Sequence, residues 1–232
     1  MVGGARRRLE LSIRVITLNV NGVRSAASKG LFRWLETQRP DVVCLQELKC
    51  HDADLDAKLH GLKAFDSCHA FAKKEGYSGV ALYSRRQPDE VRRGFASREF
   101  DAEGRYVEAR FGNLWIVSVY MPSGSAGPHR QASKLRFLKR FARHLKALRE
   151  AGAVVEHVFV NFYYDIFPEA KQTLAELNVR LHYLATWWDV LDVVKKDRYL
   201  ESAQVAEVEK FLHEPAKWSV AHGGVSSLKS GS

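Results

Sequence analysis

Cysteine is scarce in this chain. Among its 232 residues there are three, Cys44, Cys50 and Cys68. An odd number cannot pair completely within one chain, and the spacing does not match that of zinc fingers. The composition therefore argues against a disulfide-rich secreted scaffold and against a structural zinc site. A reducing compartment suits such cysteines, and we expect a cytoplasmic protein.

Long apolar runs are also missing. No run approaches the roughly 18 residues that would span a membrane. The basic residues Arg6 to Arg8 are not followed by an apolar segment of signal-peptide length. We therefore expect no membrane partner, and we expect residues 1–12 to form a disordered basic lead. With 46% hydrophobic and 27% charged residues, the rest has the composition of a globular protein.

Acidic residues are few in the first two thirds of the chain. Residues 1–150 contain 28 Lys and Arg against 16 Asp and Glu, a net charge of +12. Residues 151–232 contain 8 against 11, a net charge of −3. This asymmetry favours a polyanionic partner for the first part, and nucleic acid is the commonest polyanion. A basic surface that serves only solubility is the alternative.

The first fifty residues predict a compact α/β unit. An apolar, β-branched stretch from Ile13 to Leu18 indicates a buried strand, and leucines and a tryptophan at helical spacing indicate a helix from Ser28 to Gln38. A second buried strand, Asp41 to Leu45, follows Pro40. The end of this unit carries Asn19 and Glu47, which we expect at neighbouring strand ends, where α/β proteins bind ligands.

Further strands and helices follow this unit. Strands are predicted at 80–83, 115–120 and 154–160, and an amphipathic helix at 131–150, whose Lys and Arg face we interpret as solvated. Leucine and tryptophan recur at steps of three and four from Leu174 to Leu191, which predicts one helix of seven turns over about 169–196. A second, acidic helix is predicted at 202–213. We accordingly predict a core at 13–166, a helical segment at 167–215 packed on or beside it, and a flexible tail at 216–232.

Polar side chains at strand ends suggest metal-assisted phosphodiester cleavage. Asn19, Glu47, Tyr120 and Asp165 each stand where a predicted strand leaves the core. Hard oxygen ligands with few histidines suit Mg²⁺ or Mn²⁺, which can hold a phosphate and polarise it. For any single residue, such as Glu47, a solvated loop carboxylate is the simpler interpretation.

Six short motifs follow one another along the first two thirds of the chain: TLNVNGVR at 17–24, LQELK at 45–49, GYSGVA at 76–81, DAEGR at 101–105, VYMPSG at 119–124 and ASKLRFL at 132–138. They resemble, in the same order, the motifs of exonuclease III and the apurinic/apyrimidinic endonucleases of the endonuclease/exonuclease/phosphatase superfamily. The resemblance covers residues 13–150 and implies duplex DNA as the partner, which we expect a monomer to bind.

This resemblance implies both a fold and a set of residue roles. The fold would be a two-sheet α/β sandwich, incomplete here, with a helical C-terminal third. Glu47 would be the principal metal ligand, Asn19 would lie beside it at the metal and the phosphate, and Tyr120 would orient the scissile phosphate. The residues expected at the DNA-binding face are Asn21, Arg24, Lys49, Tyr77 and Arg105.

The C-terminal third departs from the family pattern. Where the family has Gly-Asp-Trp-Asn, this chain has Phe162 to Asp165, so Tyr163 stands at the place of the catalytic Asp. Asp165 could supply a substitute carboxylate, because alternate strand positions share a face. The closing Ser-Asp-His motif is absent, and His182 and His213 fall in helical patterns. The origin of this third is open between a replacement, a fusion and a reading-frame change.

Three hypotheses about function follow. The first is a divalent-metal DNA repair nuclease that cuts at abasic sites or at 3′ ends, with impaired activity. The second is a catalytically degenerate member that binds DNA. The third, more distant, is a phosphatase of the same superfamily. The net charge of +12 over residues 1–150 favours nucleic acid over a small substrate.

Overall fold

The structure is a computed structural model, and it describes residues 12–54, 62, 64–123 and 128–224. The chain divides into two compact units, Met1–Ala153 and Val154–Ser232. The division falls inside the segment 13–166 that the sequence analysis treated as one core. The strand after residue 154 and Asp165 therefore belong to the second unit. Each unit is described by itself.

The first unit begins with a four-stranded sheet in the order β1-β2-β4-β3, in which β1 and β2 are parallel and the other pairs antiparallel. The inner strands β2 and β4 are buried at every position, which explains their continuous apolar sequences VVCLQ and VALYS. The strands are β1 (Val15–Asn19), β2 (Val42–Gln46), β3 (Asp66–Ala70) and β4 (Val80–Ser84).

A second, antiparallel sheet faces the first. It has the order β5-β6-β7, and its last two strands are joined by a tight turn at Gly112. A long helix follows this sheet. These elements are β5 (Glu90–Arg93), β6 (Tyr106–Phe111), β7 (Leu114–Val119) and α4 (Pro128–Glu150). The three earlier helices are α1 (Val23–Ser28), α2 (Leu31–Gln38) and α3 (Arg98–Asp101).

Alternating side chains of the two sheets build a layered core. Odd positions of β2, such as Val43 and Leu45, pack with residues of α1 and α2, whereas even positions, such as Val42 and Cys44, pack between the sheets against β6. An aromatic cluster that includes Phe137 joins α4 to the far side of the second sheet. The order of layers is therefore helix, sheet, sheet, helix, which confirms the predicted α/β sandwich.

Gly104 allows a close backbone approach beside the second sheet. Its φ is +59°, and a Cβ added there would lie 2.3 Å from the carbonyl carbon of Phe71. Only glycine fits such a position without movement of the backbone. The turn that leads into β6 is thereby held against the end of β3.

The second unit is a βαβ unit followed by helices. The parallel strands β8 (His157–Tyr163) and β9 (Arg180–Thr186) are joined by α5 (Pro168–Glu176). Ile166, Leu191 and Leu212 form its small core. The helices after β9 are α6 (Trp187–Lys196), α7 (Ser202–His213) and α8 (Pro215–Ala221).

The prediction of one seven-turn helix over 169–196 was wrong. Helix α5 ends before Asn178. The φ of Asn178 is +54°, which is incompatible with a right-handed α-helix, and the chain then runs extended as β9. The leucine spacing that suggested a helix crosses this break, and Leu184 is 74% exposed. The predicted flexible tail at 216–232 contains most of α8, while the tail from 225 onward and the lead at 1–11 lie outside the described residues.

The other predicted elements are confirmed, with shifted bounds. The helix predicted at 131–150 is α4, and that at 202–213 is α7. None of the helices in the described parts of the chain is both long and apolar enough to cross a bilayer.

Candidate active site at the ends of β1, β2 and β7

Glu47 follows β2 directly, in a backbone conformation that orients its side chain. Its φ is +57°, which is uncommon for a residue other than glycine. Backbone hydrogen bonds hold this conformation on both sides. The amide of Gly22 donates to the carbonyl of Glu47 at 2.7 Å, and the amide of Lys49 donates to the carbonyl of Ser78 at 2.8 Å. The position is thus fixed by the chain on either side of it.

Three side chains from different elements converge on the carboxylate of Glu47. The Asn19 amide nitrogen, at the end of β1, donates to Oε1 at 2.8 Å, and the Tyr120 hydroxyl, just after β7, donates to the same oxygen at 2.7 Å. The Lys49 ammonium lies 2.9 Å from Oε2. The structure therefore brings together Asn19, Glu47 and Tyr120, three of the four strand-end residues that the sequence analysis singled out, whereas the fourth, Asp165, belongs to the second unit.

These contacts determine the protonation states at the site. Partial burial alone would raise the pKa of Glu47, but the hydrogen bonds from Asn19, Tyr120 and Lys49 outweigh it, so its pKa lies below the ordinary value. Burial, and then the hydrogen bond to Glu47, raise the pKa of Tyr120. At neutral pH the glutamate is charged and the tyrosine is a neutral donor.

A short polar network extends the site along the loop after β1. Asn19 accepts a hydrogen bond from the backbone amide of Asn21 at 3.1 Å, and the Asn21 side chain accepts one from the Lys49 ammonium. Of the two residues, both predicted at the DNA-binding face, Lys49 contacts Glu47 directly, and Asn21 is linked to it through Asn19 and Lys49. Arg24 is also exposed, and it pairs with Asp54 at 3.3 Å.

Arg105 supports Tyr120 from beneath the surface. It is 2% exposed, so it lies under the predicted DNA-binding face and a contact to a bound strand would not be direct. Its guanidinium donates to the Tyr120 carbonyl at 3.1 Å and to the Tyr77 hydroxyl at 2.8 Å, and it pairs with Glu103. Its Cζ lies 5.0 Å from the centre of the Tyr120 ring. Arg105 is therefore a positioning residue.

Sequence reasoning missed two sets of residues at the site. Arg130, in the first turn of α4, donates to the Tyr77 hydroxyl at 2.7 Å, and no sequence pattern signals this interaction. The buried amide of Gln46 donates to Thr17 of β1 at 3.1 Å and to Ser118 of β7 at 3.2 Å. Its place inside an otherwise apolar strand could have been noticed. This bridge fixes the strand ends that carry Asn19, Glu47 and Tyr120.

Asp165 lies in the second unit, after β8. Its φ is +53°, and its carboxylate pairs with Lys171 at 2.7 Å. Its carbonyl accepts a hydrogen bond from the indole of Trp188 at 3.0 Å. Within its unit it joins β8 to the start of α6.

The donor set at Glu47 fits a hydrated divalent cation. Among the described residues no group of three or more His, Cys, Asp or Glu gathers as a metal site. Mg²⁺, however, is commonly held by one or two carboxylates, with water and phosphate oxygens completing its shell. Oε1 of Glu47 already accepts two hydrogen bonds, whereas Oε2 contacts only Lys49 in the described structure. Oε2 is therefore the oxygen with a lone pair available for a cation.

Comparison with known proteins finds similarity to two kinds of enzyme. The sequence profile of the Endonuclease/Exonuclease/phosphatase family matches residues 16–160. The DNA repair nuclease APEX1 of Danio rerio is 34% identical over 118 residues, which are 50% of this chain and 38% of that protein. The orotate phosphoribosyltransferase of Roseobacter denitrificans is 53% identical over 76 residues, 33% of this chain and 34% of that protein.

A solved structure resembles the chain in fold. The apurinic/apyrimidinic (AP) endonuclease from Archaeoglobus fulgidus superposes with a TM-score of 0.53 at 25% identity, over 59% of this chain and 52% of that one. In each of these three comparisons the matched region covers at most 52% of the relative's own length. The similarity therefore concerns parts of those proteins.

Proposed function

The chain belongs to the endonuclease/exonuclease/phosphatase family, and from that premise we propose that it is a slow, divalent-metal-dependent nuclease. Its substrate would be duplex DNA, cleaved at abasic sites or at 3′ ends. The observation that carries the proposal is the convergence of Asn19 and Tyr120 on the carboxylate of Glu47. The net charge of +12 over residues 1–150 supports a polyanionic substrate.

The side chains of the first unit would each have a distinct role. Glu47, assisted by the amide oxygen of Asn19, would hold the cation, which when bound would polarise the phosphoryl oxygen and neutralise developing charge. Tyr120, kept neutral by its raised pKa, would shift its one donated hydrogen bond from Glu47 to a non-bridging phosphate oxygen when the substrate binds. Arg105 would hold Tyr120 in place, and Lys49 would add positive charge at the site.

The proposed slowness follows from the missing general base. In the described part of the first unit, Glu47 is the only carboxylate bonded to Asn19 or Tyr120, and it is already engaged by three donors. The Asp and Asp-His motifs that the family uses to activate water are absent from the sequence. Loss of a general base typically costs about 10²–10⁴ in rate.

Cleavage of an abasic-site duplex with Mg²⁺ tests the proposal. Wild type should cleave slowly, Glu47→Ala should abolish cleavage, and chelation of the metal should do the same. Glu36→Ala, which removes an exposed carboxylate from α2, is the matched control and should retain the wild-type rate. Cleavage that survives in Glu47→Ala, or is absent from wild type, would refute the nuclease proposal.

DNA binding without catalysis is the second candidate, and the absent Asp-His motif favours it. It predicts no cleavage in the same assay, together with duplex affinity that falls steeply with salt. Glu47→Ala should then leave the affinity unchanged or increase it, because the substitution removes a negative charge. Absence of both cleavage and binding would contradict both candidates.

We infer that the second unit carries the similarity to orotate phosphoribosyltransferase. The match to the nuclease family covers residues 16–160, and most of the second unit, Val154–Ser232, lies beyond it. The length of this unit is close to the 76 residues that match the transferase. This favours a fusion among the three origins considered for the C-terminal third. Because the chain spans 34% of that transferase, we expect no pyrophosphate release when it is supplied with orotate and phosphoribosyl diphosphate. Turnover of these substrates would contradict the expectation.

A further inference from the structure

One face of α4 is a row of exposed cations. At 100° per residue, five of its basic residues fall within an arc of about 120°. The opposite side carries Phe137 and Phe141, which pack in the aromatic cluster on the second sheet. We call this row the α4 stripe; its members, all exposed, are Arg136, Lys139, Arg140, Arg143 and Lys146.

Most of the positive charge on the stripe is not neutralised. Arg136 pairs with Glu99 at 2.6 Å, and Lys146 lies 3.8 Å from Glu150. Lys139, Arg140 and Arg143 have no ion-pair partner among the residues that the structure describes. A shallow groove runs beside them, lined by Glu99 and four members of the stripe. A merely solvated helix would distribute acidic residues along this face, whereas here they stand only at its margins.

The helix that carries the stripe begins near the candidate active site, although Arg130 itself lies about 120° around the helix from Arg136. Arg130, in the first turn of α4, bonds to Tyr77, which Arg105 joins to Tyr120 and so to Glu47. The stripe then runs along the helix away from this point. With a rise of about 1.5 Å per residue, Arg136 to Lys146 spans ~15 Å. That length corresponds to about four phosphates along one DNA strand.

We propose that the α4 stripe binds the phosphate backbone of duplex DNA that extends beyond the cleavage point. The inference rests on the proposed function, because the duplex path it continues begins at Glu47. The interaction is with phosphates and carries no sequence preference. The stripe holds the part of the duplex that lies away from the site and does not contact the scissile phosphate.

Salt-dependent binding of two duplexes tests this proposal. The variant K139Q/R140Q/R143Q removes the three unpaired cations, and K29Q/R33Q/R39Q is the matched control. The control makes the same change of charge at three exposed positions, one in α2 and one just after each of α1 and α2, on the opposite outer layer of the sandwich. Binding is measured without metal, so that the result does not depend on cleavage. All substituted residues are exposed, and circular dichroism is to check that both variants fold.

For a duplex of about 20 base pairs, the stripe variant should bind roughly 10–100-fold more weakly at ~0.1 M salt. Its slope of log affinity against log salt should fall by about 2–3, near 0.9 for each phosphate that the variant no longer neutralises. For a duplex of about 8 base pairs centred on the abasic site, affinity should change little.

Three results would overturn the proposal. The first is an unchanged slope in the stripe variant, and the second is an equal weakening in the control, which would indicate a general effect of net charge. The third is a weakening confined to an RNA hairpin or to anionic vesicles of phosphatidylserine, which would assign the stripe to another partner. A wild type that fails to cleave DNA but shows the expected slopes would refute the nuclease proposal alone.

Discussion

Tyr120→Phe should raise the pKa of Glu47, because it removes one hydroxyl that stabilises the charged carboxylate. The hydroxyl donates to Oε1 at 2.7 Å, and a hydrogen bond to a charged group contributes about 1.5–3 kcal/mol. The glutamate side chain is 18% exposed, so water can replace part of the missing bond. We therefore take the lower end of that range. The loss of about 1.5 kcal/mol of stabilisation of the charged form raises the pKa of Glu47.

The assay is an NMR titration of the side-chain carboxyl carbon of Glu47 in wild type and variant. Tyr106→Phe is the matched control, because it removes a buried tyrosine hydroxyl that donates to Glu108 instead. The pKa of Glu47 should be unchanged in this control. An equal rise in both variants, or no rise in Tyr120→Phe, would refute the reasoning that the Tyr120 hydroxyl holds the charge on Glu47.

The same substitution makes a prediction about stability and pH. The pKa of Glu47 in the folded protein lies below its ordinary value of 4.5. Its contribution to stability is thus present above pH 4.5 and is lost as the pH falls through the folded-state pKa. Tyr120→Phe should lower the free energy of unfolding at pH 7, and the difference from wild type should narrow in acid. A difference that stays constant with pH would contradict this assignment.

Three further predictions concern the first unit. Gly104→Ala should lower the free energy of unfolding in urea by more than ~2 kcal/mol, because the added Cβ would meet the Phe71 backbone. Gly112→Ala, at a similar φ of +66° but in open space, should lower it by only ~1 kcal/mol. Equal losses would contradict the close-approach argument. Arg105→Met should lower the free energy of unfolding by about 3 kcal/mol, because it leaves Glu103 and the Tyr120 carbonyl without their donor. Arg110→Met, which breaks a more exposed pair with Glu90, should lower it by less than ~1 kcal/mol. Burial raises the pKa of Cys44 to about 12 and the pKa values of Cys50 and Cys68 to about 11. Alkylation of these thiols at pH 8 should therefore be slow until denaturant is added. Rapid labelling of the native protein would argue against their burial.

The sequence was sufficient to predict the first unit because its local signals agree with the final fold. Buried strands correspond to continuous apolar runs, and each is followed by a polar residue at the point where the strand leaves the core. Asn19 and Glu47 share an edge because β1 and β2 are parallel and adjacent, which a strand-helix-strand order already implies. Tyr120 joins them from the facing sheet. That interaction could be expected only from the family resemblance, because local patterns carry no information on how two sheets face each other.

The wrong predictions arise where the spacing or type of residues in the sequence does not match their burial in the structure. The leucines of residues 174–191 repeat like those of a helix, but the structure alternates between helix, strand and helix, and Asn178 marks the break. Arg105 was expected at the DNA-binding face, since arginine in a loop is usually exposed. Its burial depends on Tyr77, Tyr120 and Glu103, three partners that only tertiary structure assembles.

Among the residues that the structure describes, the polar contacts of Glu47 are all made within the first unit. Asn19, Lys49 and Tyr120 bind its carboxylate, Gln46 ties the strand ends together, and Arg105 supports Tyr120. These residues all precede Ala153, where the first unit ends, and all lie within residues 16–160, which match the family profile. The Asp and Asp-His motifs that the family resemblance implies for the activation of water are absent from the sequence. A chain that keeps the first set and lacks the second should retain cation and phosphate binding more fully than catalysis. Affinity and turnover should therefore be separable in this protein, and Glu47 is the residue at which to separate them.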